Sequence, residues 1–279
     1  MVWVNSALFA GSSVFVWALV LALVLSALGF WKTVYFVSLG YAFSITAIAI
    51  LTGCWFSGSL NLYAALHCIL LALYGIRLGA YILPRERKAS YKEAIQGEYS
   101  SSSSVPTIGK ISIWLSVAVL YVLMGSPALY HSIALQQNVP LSTTPILVGI
   151  AIMVVGLGLE TLADWQKSAY KKENPKRFCD VGLYRWVRCP NYLGEVTFWT
   201  GNWIAGLAAL STIGTWVLSL LGLLSIWYIM LYSTHRLERT QTERYGEMEE
   251  FQAYSQSTPI LLPFLPLYSL KKAPFMLKY

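Results

Sequence analysis

Long apolar runs separated by short polar connections dominate this chain. Seven runs can be drawn, at about 7–31, 34–56, 60–83, 112–135, 143–165, 196–212 and 214–233. A helix needs roughly 20 apolar residues to cross a bilayer, and most of these runs supply that. The run 196–212 is short, and its boundary with 214–233, around Ser211, Thr212 and Gly214, is the least sharply drawn. The pattern predicts an all-α integral membrane protein with seven transmembrane helices, forming one domain over 1–279. No basic region precedes the run 7–31, so it reads as a retained span and not as a cleaved signal peptide.

The polar connections carry their own signals. In 84–111 the early part reads as a short helix, and Ser100 to Ser104 read as a linker. In 166–195 the fifth helix is expected to run on to about Lys172, where Asn174-Pro175 stops it. Leu183, Trp186 and Val187 suit an interfacial turn. Cys189-Pro190 then breaks the chain, and Asn191 is expected to cap the sixth helix. In the tail a helical extension should reach about Tyr245, with Gly246 as the interruption and a second short helix beyond it. The proline-rich apolar stretch 259–268 reads as interfacial.

Charge gives the arrangement a direction. With the N-terminus outside, all 20 Lys and Arg fall in cytoplasmic connections, in the tail or at the cytoplasmic ends of spans. The outer connections near 57–59 and 136–142 carry no charge. This is a complete positive-inside bias, and it puts the C-terminus in the cytoplasm. The host is a bacterial inner membrane or an endoplasmic reticulum, since both satisfy the same rule. Hydrophobic residues make up 56% of the chain and charged residues 12%, which excludes a soluble globule. The net charge of +7 suits an anionic leaflet or a phosphorylated cofactor. It does not indicate nucleic acid, because no soluble domain presents a groove, and no protein partner is implied. Cys54, Cys68, Cys179 and Cys189 form no disulfide framework. No CxxC or clustered His accompanies them, which argues against zinc.

Ionisable groups inside a bilayer are costly, by about 2.5–3.5 kcal/mol each. Arg77 lies six residues before the end of the third run. Glu160 and Asp164 are one helical turn apart. Glu195 opens the sixth run, four residues after Asn191 and on its face. These groups share one depth and are expected to line a polar pocket sunk into the membrane. A structural pair between Arg77 and one acid is the alternative. Tyr74, Arg77 and Tyr81 share a face of the third helix, and a deep phenol must find a hydrogen-bond partner. His67 reads as a packing residue and His131 as interfacial. The segment from Gly156, GLGLET, lacks the context of a dinucleotide fingerprint, and its glycines read as close helix packing.

The most specific signal is Gly182-Leu-Tyr-Arg-Trp-Val-Arg-Cys-Pro-Asn-Tyr-Leu-Gly-Glu195. Arg185 and Arg188 have the geometry to fork onto phosphate oxygens, and Lys171, Lys172, Lys176 and Arg177 add positive field. A merely solvated basic loop is the alternative. The pattern resembles the steroid 5-alpha-reductase C-terminal family and its bacterial branch of unknown substrate, whose usual form is G-L-[WY]-R-x-x-R-H-P-N-Y-x-G-E. The tail from Leu237-Glu238-Arg239 through Tyr245-Gly246 to Pro259 is also similar, and the resemblance is strongest over 140–270.

The resemblance implies an NADPH-dependent reductase of an activated carbon–carbon double bond, working on a lipophilic, steroid-like or other enone that enters from the bilayer. It implies that Glu160, Asp164, Lys171, Arg185, Arg188, Asn191, Glu195, His235 and Arg239 surround the cofactor. It implies that Tyr74 donates to the substrate carbonyl, and Arg77 is expected to support it. Three departures stand out. Cys189 replaces the usual His, and Glu160 stands where the steroid enzymes have Asn. The glutamate that partners the tyrosine in the steroid branch has no counterpart before Glu86. Isoprenylcysteine-type methyltransferases, which use S-adenosylmethionine, share an R-H-P-x-Y loop and are the alternative.

Overall fold

The computed structural model describes the backbone of residues 2–86 and 105–271, with side chains from residue 13 onward. The expected short helix and Ser100–Ser104 linker lie almost wholly outside the described residues. The described chain is helical and contains no strand. Its α-helices are α1 (Val2–Ser26), α2 (Leu39–Trp55), α3 (Leu62–Glu86), α4 (Thr107–Gln136), α5 (Thr143–Glu173), α6 (Pro190–Gly206), α7 (Ile213–Tyr245) and α8 (Glu249–Ser257).

Six helical stretches are long and apolar enough to cross a membrane: Ser13–Phe30, Thr33–Trp55, Leu62–Arg85, Thr107–Gln136, Thr143–Glu173 and Ile213–Tyr245. Their outward faces carry large apolar side chains such as Val16, Trp17, Ile76, Val155 and Leu224, as a lipid-facing surface would. The remaining apolar helix, α6, has 17 residues, about 26 Å of rise against a hydrocarbon core of ~30 Å. It continues only as a 3-10 turn, Leu207–Ala209.

The boundaries within the cytoplasm-assigned connections follow the sequence closely. α5 ends at Glu173, just before Asn174-Pro175, and α7 ends at Tyr245, just before Gly246. One expectation is corrected. α6 begins at Pro190, so Asn191 lies inside its first turn and does not cap it. Proline suits a first helical position, because its missing N–H is one of the donors a helix start leaves unpaired.

The chain, read from sequence as one domain, forms two compact units, whose boundaries fall inside α5, α6 and α7. Unit 1 is Met1–Ile150 with Asn202–Leu223, and unit 2 is Ala151–Gly201 with Leu224–Tyr279.

In unit 1, α2 packs against α1, α3 and α4. Gly75 permits the close approach of α2 and α3, since a Cβ there would lie 2.5 Å from the Ala42 carbonyl oxygen. Pro127 in α4 has no N–H to give the Leu123 carbonyl, and the Ser126 hydroxyl donates to that oxygen instead, at 2.8 Å. In unit 2, α5 and α6 meet backbone to backbone. A Cβ on Gly156 would lie 2.4 Å from Phe198 N, and one on Gly194 would lie 2.5 Å from Glu160 N. Close helix packing is therefore the use of Gly156 but not of Gly158, the second glycine of GLGLET, which has open space at its Cβ position.

Candidate functional site

Unit 2 holds all nine residues singled out for a cofactor. Glu160, Asp164, Lys167 and Lys171 follow one another at spacings of four, three and four, so they form one stripe along α5. Glu160 and Asp164 are buried, as is Glu195 on α6. Gly194 lets the α6 backbone touch Glu160, which brings Glu160 and Glu195 to the same contact. Asp164, Glu195 and Arg236 all lie close enough to the Tyr192 hydroxyl to act on it electrostatically. Three carboxylates from α5 and α6 thus share one level of this unit. The Asn191 side-chain oxygen, one turn before Glu195, is buried and has no hydrogen-bond donor among the described residues. A buried acceptor left in that state costs about 1–3 kcal/mol, so it is well suited to receive a ligand N–H or O–H.

Beside this level lies a cleft of about 250 Å³. Lys167, Lys171 and Arg244 line it and no carboxylate does, while Thr240, Gln241 and Tyr245 add polar groups. Phe178 and Tyr184 supply aromatic walls. Lys171 itself is occupied. Its ammonium donates to the carbonyls of Pro175 (3.3 Å) and Arg177 and to the Tyr245 hydroxyl (2.8 Å). Lys171 therefore pins the turn after α5 to the end of α7. Having accepted from Lys171, the Tyr245 hydroxyl keeps its own proton for another acceptor. Arg244 is exposed and makes no ion pair among the described residues.

The loop motif divides its two arginines. Arg185 ends a 3-10 turn, Gly182–Arg185, and is exposed. Arg188 is 2% exposed and does not present a fork to solvent. It lies 3.6 Å from the Glu238 carboxylate and donates to the Tyr268 carbonyl. Its role in this structure is to fasten the loop to the tail. The loop opens on Gly182 at φ 60°, where a side chain is strained. Gln166 then accepts from Leu183 N at 2.9 Å, and Tyr254 donates to the Tyr184 carbonyl at 2.6 Å.

His235 and Arg239 lie one turn apart on α7. At 100° per residue they are on the opposite side of the helix from Leu237, Gln241 and Arg244, which face the cleft. Arg239 pairs with Glu243 at 2.9 Å on an exposed surface. The structure therefore groups Glu160, Asp164 and Glu195, adds Asn191 a turn away, and leaves His235 and Arg239 off the cleft.

Tyr74 and Arg77 belong to unit 1. Tyr74 is fully buried, and its hydroxyl lies 3.0 Å from that of Tyr41. The Tyr41 ring stacks on Tyr121, whose hydroxyl donates to the Phe36 carbonyl. Arg77 sits over the Tyr81 ring, 5.4 Å from its centre. The partner found for Tyr74 is thus a second phenol.

Of the two histidines of unit 1, His67 is a buried packing residue as expected, and His131 differs from expectation. His131 is not interfacial but 1% exposed, and His67 is fully buried. Their Nδ1 atoms are 3.3 Å apart, and His67 Nε2 lies 2.9 Å from Asn202 Oδ1. An interfacial reading of His131 assumed a lone polar group seeking water, whereas the chain supplies it a polar neighbour 64 residues away.

Reasoning from sequence passed over Lys167, Gln241, Arg244 and Tyr41. Lys167 lies three residues after Asp164 and four before Lys171, a usable signal. Gln241 and Arg244 repeat the spacing of three and four from Leu237. Nothing local marks Tyr41, whose significance comes only from its packing against α3.

An all-helical protein of membrane-like architecture, with buried carboxylates set beside a cation-lined cleft, is the class these features define. The chain belongs to a family of proteins of unknown function, DUF1295, whose model matches residues 27–258. Comparison with curated proteins and with solved structures finds no match.

Proposed function

We propose that this protein is a membrane-embedded, NADPH-dependent reductase of an activated carbon–carbon double bond in a lipophilic enone. The observation that carries the reading is the composition of unit 2. A cleft lined by three cations and no carboxylate adjoins a level with buried carboxylates and an unpaired Asn191 oxygen. Those features fit a ligand with phosphates at one end and amide or hydroxyl donors at the other. The cleft is smaller than a whole dinucleotide, since ligand pockets run from about 300 to 1,000 Å³. It would take one phosphorylated part.

When bound, NADPH supplies the hydride. Arg244, Lys167 and the Tyr245 hydroxyl bind phosphate, Asn191 accepts from the carboxamide or a ribose hydroxyl, and Glu195 and Asp164 accept the remaining donors. In this reading α6 with its 3-10 extension makes a seventh crossing. The N-terminus is outside, and unit 2 meets its cofactor from the cytoplasm.

The test is the melting temperature of the purified protein with NADPH, NADH or S-adenosylmethionine. A ligand present at 100 times its Kd stabilises by about 2.7 kcal/mol. NADPH should raise the midpoint, and Asn191→Ala should reduce the gain. A rise with S-adenosylmethionine alone would favour a methyltransferase, and no rise with any of the three would end the proposal.

A further inference from the structure

The tail folds back as a closed loop. Ile260 N donates to the Leu267 carbonyl at 2.8 Å, and Arg188 N donates to the Pro259 carbonyl at 2.9 Å. The base of this loop is buried: Ile260, Leu261 and Leu270 pack with Cys189 against Leu231, Tyr232 and Leu237. Its tip is the reverse. Phe264 is 96% exposed, and Leu265, Leu267 and Tyr268 are exposed with it. A fixed loop that shows water so much apolar surface requires a partner.

The height of the base identifies that partner. The stretch 213–234 of α7 has no charged residue. At 1.5 Å per residue it covers roughly 33 Å, about one hydrocarbon core. His235 and Arg236 follow at once. Leu231, Tyr232 and Leu237, which carry the base, therefore bracket the membrane boundary of α7. The surroundings suit lipid headgroups: Trp186 is 72% exposed on the loop fastened to the tail, and Arg185 and Lys271 are exposed cations. Indole and phenol rings favour this zone, and each nearby cation gains about 1 kcal/mol from an anionic leaflet.

We propose that the loop 262–268 is a membrane wedge, with Phe264 and Leu265 inserted into the leaflet that faces the charged end of α7. The Arg188–Glu238 pair and the Leu270 N–H bonded to Glu238 (2.9 Å) hold the wedge to the helix. The inference rests on the membrane reading of α7 and is independent of the proposed reductase activity.

The test places a nitroxide at Phe264→Cys in a Cys54→Ser background, since the other native cysteines are buried. The protein is reconstituted in nanodiscs of mixed phosphatidylcholine and phosphatidylglycerol. Power saturation with oxygen and with a water-soluble nickel chelate then reports the surroundings of the label. Collision with oxygen well above collision with nickel is expected. Dominant collision with nickel would place the tip in water and overturn the proposal. Protection from both reagents would mean that protein covers it, from a second copy or a partner, and would overturn it equally. Leu265→Cys should show the same preference for oxygen. Phe264→Asp should leave the melting temperature of the protein in mild detergent unchanged, because the side chain it replaces makes almost no protein contact.

Discussion

Arg188 and Glu238 form an ion pair at 3.6 Å in which the side chains are 2% and 4% exposed. The most specific arginine of the loop is thereby joined to α7, and through Tyr268 and Leu270 to the tail. Removing one partner of a buried pair leaves an uncompensated charge and costs about 3–5 kcal/mol. Arg188→Ala and Glu238→Ala should each lower the melting temperature strongly. The double change Arg188→Met with Glu238→Leu should recover much of the loss. Thermal unfolding in detergent measures all three.

The contact of Gly194 with Glu160 sets a different limit. A Cβ at Gly194 would meet backbone on α5, which cannot rotate aside. Overpacking of this kind costs about 1–3 kcal/mol. Gly194→Ala should therefore destabilise unit 2, and Gly194→Val more so. Gly158 has open space around its Cβ position, so Gly158→Ala is the control and should be neutral or slightly stabilising.

Arg244 separates phosphate binding from folding. It is exposed, so Arg244→Glu should leave the melting temperature of the free protein unchanged. Under the reductase proposal the same change should weaken NADPH by roughly tenfold, equivalent to about 1.4 kcal/mol. It should also flatten the dependence of affinity on salt. Fluorescence titration at two ionic strengths measures both effects.

What the sequence disclosed depends on the range of the interaction involved. Helix ends were legible because Asn174-Pro175 and Gly246 act within a turn of themselves. The shared face of Glu160 and Asp164 was legible because helical spacing fixes it. From sequence Arg188 reads as a phosphate ligand, because its burial depends on Glu238 and Tyr268, 50 and 80 residues away. Tyr41 carried no local mark for the same reason, and His131 read as interfacial because its partner lies on another helix. The short α6 shows a related limit. Composition places an apolar run there, but the 3-10 turn that shortens the helix answers to packing of Gly206 on Pro127.

The buried histidines give a prediction in which two similar substitutions part. The Asn202 amide donates to the Met124 carbonyl at 3.0 Å, so its oxygen is the acceptor for His67. His67 therefore carries its proton on Nε2 and presents a bare Nδ1, to which His131 donates. His131 Nε2 is left as a buried acceptor without a donor among the described residues. His67→Leu would strand both the Asn202 oxygen and the His131 N–H, at about 1–3 kcal/mol each. His131→Leu removes one stranded acceptor and creates one, at His67 Nδ1, so it should be close to neutral. Unfolding midpoints of the two variants should differ in that order.

Cys189 makes stability depend on alkaline pH. Burial pushes its thiol from 9.0 up to about 12, against the downward pull of Lys167 and Arg188. The folded protein holds this proton more tightly than the unfolded chain does. The contribution to stability is therefore fully present below pH 9 and is lost as the pH rises through about 12. Burial pushes the Cys179 thiol in the same direction, so it adds to the same limb. Cys189→Ala should show a shallower fall of melting temperature above pH 9 than the native protein, whatever its absolute level. The slope is the quantity to compare, because the deleted sulfur also leaves a small cavity. At neutral pH the thiolate is scarce, so iodoacetamide should leave Cys189 unmodified until a denaturing detergent unfolds the chain, while the exposed Cys54 remains open to reagent.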